Sequence, residues 1–282
     1  MTYAVLSDIH GNLEALQAVE AAMEALPVRI DACLLLGDLV GYNADPAACL
    51  ERGLAIADRR VRGNHDKVVA GIASDRDFND VAQAAARQHR RMLAAADLDR
   101  LRALPHGPVQ AAAGIVLCHG SPQDEDLYLF DDYDARASFQ TLTDRFPDAN
   151  VCFFGHTHAA GIIQQRRPSR AERAIRTPVR GFRLQPGDPL TLDEASRYLI
   201  NPGSVGQPRD GTPDAAFGLF DAERARYTQF RVPYPVEVAQ RKIRALGLPE
   251  WLPPPPSVGP RTPPILPPSP RPPRRRPRAG AR

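Results

Sequence analysis

Five short polar clusters carry the residue types that hold divalent cations. They are Asp8-Ile9-His10, Gly37-Asp38, Gly63-Asn64-His65-Asp66, His119-Gly120 and Gly155-His156-Thr157-His158. As possible ligands they offer Asp8, His10, Asp38, Asn64, His119, His156 and His158, and five of the chain's seven histidines fall inside them. Carboxylate, amide oxygen and imidazole together suit Mn, Fe, Zn or Ni, whereas calcium takes oxygen alone. Two such ions ~3.5–4 Å apart can clamp the attacking and leaving oxygens of a phosphoryl displacement. One carboxylate must then bridge them, and Asp38 is the natural candidate because it lies between the outer ligand groups in sequence. Taken singly, each cluster also reads as structure: a capping pair, a turn, a hydrogen-bonded loop, a buried histidine. His89 and His106 lie outside the clusters and read as ordinary surface or loop residues.

Each cluster ends an apolar run. Tyr3–Ser7, Ala32–Leu36, Val61, Ile115–Cys118 and Val151–Phe154 all read as strands. Ligand sites in α/β folds gather beyond the carboxyl ends of strands, so the pattern predicts all five clusters on one rim of one sheet. Between them, Asn12 caps a helix with Leu13, Leu16, Val19, Met23 and Leu26 at helical spacing. Asp45-Pro46 opens another through about Ala57, and residues 78–96 are alanine-rich and helical in pattern. In the second half, Gly161–Gln165, Leu190–Leu192, Arg197–Ile200, Ala215–Phe220 and Tyr227–Val232 predict a second, largely antiparallel sheet packed on the first. The arginine-rich stretch 166–186 reads as a loop or hairpin, and Val236–Leu246 as a last helix closed by Gly247.

With 43% hydrophobic and 24% charged residues, the composition is that of a soluble globular protein. No apolar run is long enough to span a bilayer, and the N-terminus has no signal-peptide pattern. The four cysteines form no Cys-x-x-Cys pair, and Cys33, Cys118 and Cys152 lie in apolar runs. They read as free buried thiols of a cytoplasmic protein. Residues 253–282 hold thirteen prolines, seven arginines and no acidic residue. Removing those seven charges from the net +3 leaves −4 on residues 1–252, so the basic balance gives the folded body little reason to bind nucleic acid. The expected organisation is one domain over 1–252 and a disordered, partly polyproline tail over 253–282.

The five clusters resemble, in order and composition, the motifs of the calcineurin-like metallophosphoesterase superfamily over roughly residues 1–232. The resemblance implies a four-layer α/β/β/α sandwich. It implies that Asp8, His10 and His158 hold one metal, that Asn64, His119 and His156 hold the other, and that Asp38 bridges. His65 matches the histidine that contacts the phosphate or protonates the leaving oxygen, and Asp66 its partner. Protein serine/threonine phosphatases carry an arginine soon after the second motif and a glutamate ending the third. Here Leu39-Val40-Gly41-Tyr42-Asn43 has no arginine, and Asp66 replaces the glutamate. The stretch Leu199–Arg209 is instead similar to small prokaryotic phosphodiesterases and to relatives of diadenosine tetraphosphatases.

The implied activity is therefore hydrolysis of a small phosphate ester, a diester first, by a hydroxide bridging two divalent metals. Asn201 and Ser204 read as a structural turn or as a loop that supports the metal rim, and Arg209 as a phosphate contact or a surface ion pair. Tyr42, Asn43, Tyr128, Phe130 and Tyr133 form a substrate wall or simply pack. Two other classes share these residues: a non-catalytic binding protein on the same fold, and a nucleic-acid-processing enzyme recruited through the tail. Metal content separates the first, and salt-sensitive nucleic-acid binding lost with the tail separates the second. The family pattern does not account for the tail or for the length of the 166–186 insert.

Overall fold

The computed structural model describes residues 1–168 and 173–249. The tail 253–282 lies outside the described residues. Strands β1 (Thr2–Leu6), β2 (Ala32–Leu35) and β3 (Arg59–Arg60) run parallel at one end of a six-stranded sheet. Strands β4 (Val109–Ala112), β5 (Ile115–Leu117) and β6 (Val151–Phe153) begin a second. The later strands are divided between the two: β7 (Gly161–Arg166), β8 (Val179–Phe182) and β10 (Ser196–Asn201) join β6, whereas β9 (Pro189–Thr191), β11 (Ala215–Asp221) and β12 (Arg226–Val232) join β1. The orders are β3-β2-β1-β11-β12-β9 and β4-β5-β6-β10-β7-β8.

This corrects two expectations. The second half of the chain does not make its own sheet; it contributes three strands to each. The polar clusters also do not share one sheet, since Asp8, Asp38 and Asn64 follow β1, β2 and β3, while His119 and His156 follow β5 and β6 in the other. The 166–186 insert supplies the end of β7 and its antiparallel partner β8, so it is a hairpin in its described part.

The layers follow from which side of each strand is apolar. Successive side chains point to opposite faces. Tyr3, Val5, Leu34, Leu36, Ile115, Leu117, Phe153 and Tyr198 meet in a core between the sheets. Their alternates Ala4, Leu6 and Leu35 pack outward on Leu16 and Val19 of α1 (Leu13–Glu24) and Leu50 of α2 (Pro46–Ile56). On the far side Val116, Cys118, Cys152 and Leu199 pack on helix residues 132–145, through Ala135, Phe139 and Leu142. Three cores separate four layers, the expected α/β/β/α sandwich. Burial on both faces explains why these strands read as continuous apolar runs, without alternation.

Helix α1 starts where the Asn12 side chain accepts from the Ala15 N–H at 3.1 Å. The short helix α3 (Asn64–Val69) begins at the third cluster. The alanine-rich stretch 78–96 holds α4 (Asp80–Met92), and α5 (Ala95–Arg102) begins at its end. Helix α6 (Asp132–Arg145) has no counterpart in the sequence reading, and α7 (Val236–Ala245) closes the described chain. Among the described residues no helix is long and apolar enough to cross a membrane. All four cysteines are free and buried.

Candidate metal centre

The loops after β1, β2 and β6 turn sharply. Seven non-glycine residues among those described have positive φ; five are Asp8, His10, Asp38, His156 and His158, and a sixth is Tyr42. Backbone held in this sparsely populated region clusters where a site over-determines geometry. Glycines let the loops meet. A Cβ on Gly63 would lie 2.0 Å from Asp38 Oδ1, and one on Gly37, whose φ is +95°, would lie 2.5 Å from the Gly63 nitrogen.

The result is two adjoining ligand groups. Asp8, His10, Asp38 and His158 present ligand atoms within 4.8 Å of one another, and so do Asp38, His119 and His156. Asp38 belongs to both. Asn64 stands beside the second group, with its Oδ1 3.1 Å from His119 Nε2. All of these but Asn64 are buried.

Ring orientation is set by backbone carbonyls. His10 Nδ1 lies 3.0 Å from Val40 O, His119 Nδ1 2.7 Å from Leu36 O, and His158 Nδ1 2.7 Å from Gln207 O. His156 instead uses Nε2, 3.0 Å from Asp126 O. A carbonyl only accepts, so in His10, His156 and His158 these nitrogens carry the proton and the opposite nitrogen presents a lone pair, whereas His119 Nε2 faces Asn64 Oδ1 at 3.1 Å and Asp38 Oδ2 at 3.3 Å. His10 Nε2 and His158 Nε2 consequently face each other at 3.0 Å. Burial holds His10, His156 and His158 well below the usual histidine range, so these rings are neutral. Asp38 Oδ2 is buried between two imidazoles, 3.3 Å from His119 Nε2 and 3.5 Å from His10 Nε2. Facing lone pairs are costly without a cation, and the donor set fits a pair of borderline divalent ions.

The remaining titrations follow from burial and neighbours. Burial pushes Asp8 up to about 6. Burial opposes charge on His119, but the Asp38 carboxylate outweighs it and carries the ring up to about 10. Burial also works to raise Asp38, yet His119, His65 and His10 hold it well below the usual carboxylate range.

His65 is buried, with its backbone N–H on Asp38 Oδ1 at 2.9 Å. Its ring lies between Tyr42 and Phe78, at centroid distances of 4.6 and 4.4 Å. Its Nδ1 has no hydrogen-bond partner and packs on Gly41. Asp66 therefore does not orient this ring, contrary to expectation. Its carboxylate accepts from the backbone N–H groups of Asp38, Leu39, Val40 and Gly63 at 2.8–3.3 Å. Asp66 and His65 are consecutive residues of α3, and consecutive helical side chains do not face each other.

The turn after β10 serves the centre. Asn201 Nδ2 donates to Gly155 O, and Ser204 Oγ donates to Asp8 O, each at 2.8 Å. Arg209 places Nη2 2.7 Å from Gln207 Oε1 and 3.2 Å from the Tyr42 hydroxyl, beside the first group. His106 is a surface residue as read. His89 is not: it is fully buried on α4 and bonded to the loop after Asp38.

A family model described as the calcineurin-like phosphoesterase superfamily domain matches residues 1–225. The chain belongs to this superfamily. An uncharacterized protein of Methanocaldococcus jannaschii is 34% identical over 253 residues, 88% of this chain and 94% of that protein. The crystal structure of a metallophosphoesterase from Sphaerobacter thermophilus superposes with a TM-score of 0.72 at 33% identity, covering 88% of this chain and 95% of that one. A hypothetical protein from Pyrococcus horikoshii OT3 shares the fold, with a TM-score of 0.67 at 20% identity over 88% and 94% of the two chains. The superfamily's metal dependence and the paired Asp/His groups make this chain a metal-dependent phosphoesterase in class.

Proposed function

We propose that the chain is a two-metal hydrolase of small phosphodiesters. The observation that carries this reading is Asp38, shared by two ligand groups that otherwise use different residues. Asp8, His10 and His158 would hold one ion, and Asn64, His119 and His156 the other. Mn, Fe, Zn and Ni all suit these donors. Two such ions supply water activation and neutralise charge on the phosphoryl oxygens.

The chain's own residues do the rest. Burial pushes His65 down to about 4, so the ring is neutral and free to donate an N–H. With Nδ1 packed on Gly41, Nε2 is the nitrogen left to meet a phosphate oxygen or the leaving oxygen. Asp66 holds the Asp38 loop in place by its four N–H contacts. Arg209 offers one positive charge at the rim. Lys67 is committed to Glu125 and Asp126. Among the described residues at the rim, Arg209 as the one available cation, with no arginine soon after Asp38, matches the single negative charge of a diester better than a dianionic monoester. A cavity of about 270 Å³ beside Asn64 and His156, walled by Phe78 and Tyr128, gives room for a leaving group. The buried free thiols fit a reducing compartment such as the cytoplasm.

The test is a screen of purified protein, loaded in turn with Mn, Fe, Zn and Ni, against phosphodiesters, phosphomonoesters and dinucleoside polyphosphates. Diester turnover should exceed monoester turnover. A clear monoester preference overturns the diester reading. Protein that binds no metal and hydrolyses nothing overturns the whole proposal.

A further inference from the structure

His89 lies in the last turn of α4, far from every motif in sequence, yet it is fully buried against the site. Both ring nitrogens are used. The Gly41 N–H donates to Nδ1 at 2.9 Å, and Nε2 lies 2.6 Å from Asn43 O. These partners fix one tautomer, with the proton on Nε2, because a carbonyl cannot donate. The ring also packs on Gly11: a Cβ there would meet His89 Cε1 at 3.1 Å. His89 thus touches the loop after β1 and clasps the loop after β2 on either side of Tyr42.

Tyr42 is the residue so clasped. Its φ is +62°, a conformation that surrounding contacts must enforce. Its ring stands edge-on to His10 at 4.8 Å and lies 4.6 Å from His65, and its hydroxyl meets Arg209 at 3.2 Å. Val40, one residue before Gly41, carries the carbonyl that orients His10. Asn43 returns to the first loop, its N–H and Nδ2 both reaching His10 O at 3.0 Å.

We infer that His89 is a positioning residue, which by bonding Gly41 and Asn43 holds Tyr42 where it aligns His65 and Arg209 for the substrate. A saturated side chain of similar bulk would fill the space without making either bond. A glutamine can accept at one amide atom and donate at the other. The inference rests on the phosphoesterase reading for its kinetic arm, but its structural arm does not.

The experiment compares His89→Leu, His89→Gln and Tyr42→Ala with the parent, and then His89→Leu/Tyr42→Ala. Turnover of a small diester is measured per folded molecule, with metal content by elemental analysis and melting temperature. His89→Leu should lower kcat by about 10–100-fold with metal stoichiometry unchanged, and His89→Gln should recover most of it. In the Tyr42→Ala background His89→Leu should cost less than about threefold, since residues acting through one loop are not additive. The same loss in both backgrounds overturns the inference, as does a lowered melting temperature with kcat per folded molecule intact. Where His89→Leu does not fold, the cycle is run with His89→Gln and judged by the same coupling. If the parent hydrolyses no phosphoester, that failure belongs to the activity reading; the loop is then read by the histidine Nε2–H of His89 in NMR. A downfield, exchange-protected signal that depends on an intact 41–43 loop supports the clasp, and its absence sinks it.

Discussion

His10 Nε2 and His158 Nε2 face each other across 3.0 Å, although 148 residues separate them, and each ring gives its other nitrogen's proton to a carbonyl. Two inward lone pairs at this distance repel unless a cation lies against them. The site therefore carries an unfavourable term in the metal-free chain that binding removes.

Stripping metal with a chelator should lower the melting temperature, and restoring Mn or Zn should raise it. At a free metal concentration ~100 times Kd, linkage contributes about 2.7 kcal/mol. For a domain of this size that is roughly 5–10 °C. Calorimetry with and without chelator reads it, and identical scans would contradict the metal assignment.

Asp38→Asn should abolish diester hydrolysis and lower metal occupancy, because Asp38 is the shared member of both ligand groups. Elemental analysis paired with kinetics checks it. A fully loaded variant with near-normal turnover would remove Asp38 from its bridging place.

His65→Ala should behave differently. Its ring stands outside both ligand groups, so the metals should stay while kcat falls ~10²–10³-fold, the scale for losing one transition-state donor. A missing metal in this variant would move His65 into the ligand set.

How far the sequence reached is clearest in the contrast between ligands and sheets. Six of the seven expected ligand residues form the two Asp/His groups and Asn64 lies against His119, each in a short peptide whose residue types are unusual together. Which sheet carries each ligand was not legible. β1 pairs with β11, so Val5 sits opposite Gly218, and a buried apolar run has the same pattern in either sheet. His89 was misread because a polar residue on a polar helix is expected to face water, and its partners are backbone atoms without a sequence signature. The resemblance paired Asp66 with His65, but both lie in one helix that begins inside the motif, where neighbouring side chains point apart.

Removing residues 253–282 should leave the melting temperature and small-diester turnover almost unchanged. The described cores close without them, and Ile243 and Leu248 already bury the inner face of the last helix and its end. Thirteen prolines and seven like charges also leave the segment little means of packing. Side-by-side melting and kinetics of full-length and truncated protein decide it; a large drop in either would extend the domain beyond 252.

Each ligand group draws on both sheets: Asp8, His10 and Asp38 from one with His158 from the other, then Asp38 and Asn64 with His119 and His156. His158 also leans on the carbonyl of Gln207. A nascent chain still short of residue 207 therefore lacks a part of the first ion's pocket, whatever it has already folded. On the proposed two-metal reading, loading with metal would follow closure of the most distant contacts. On the same reading a protease nick that frees either sheet would release both ions together, so the centre would report on whether the two sheets stay joined.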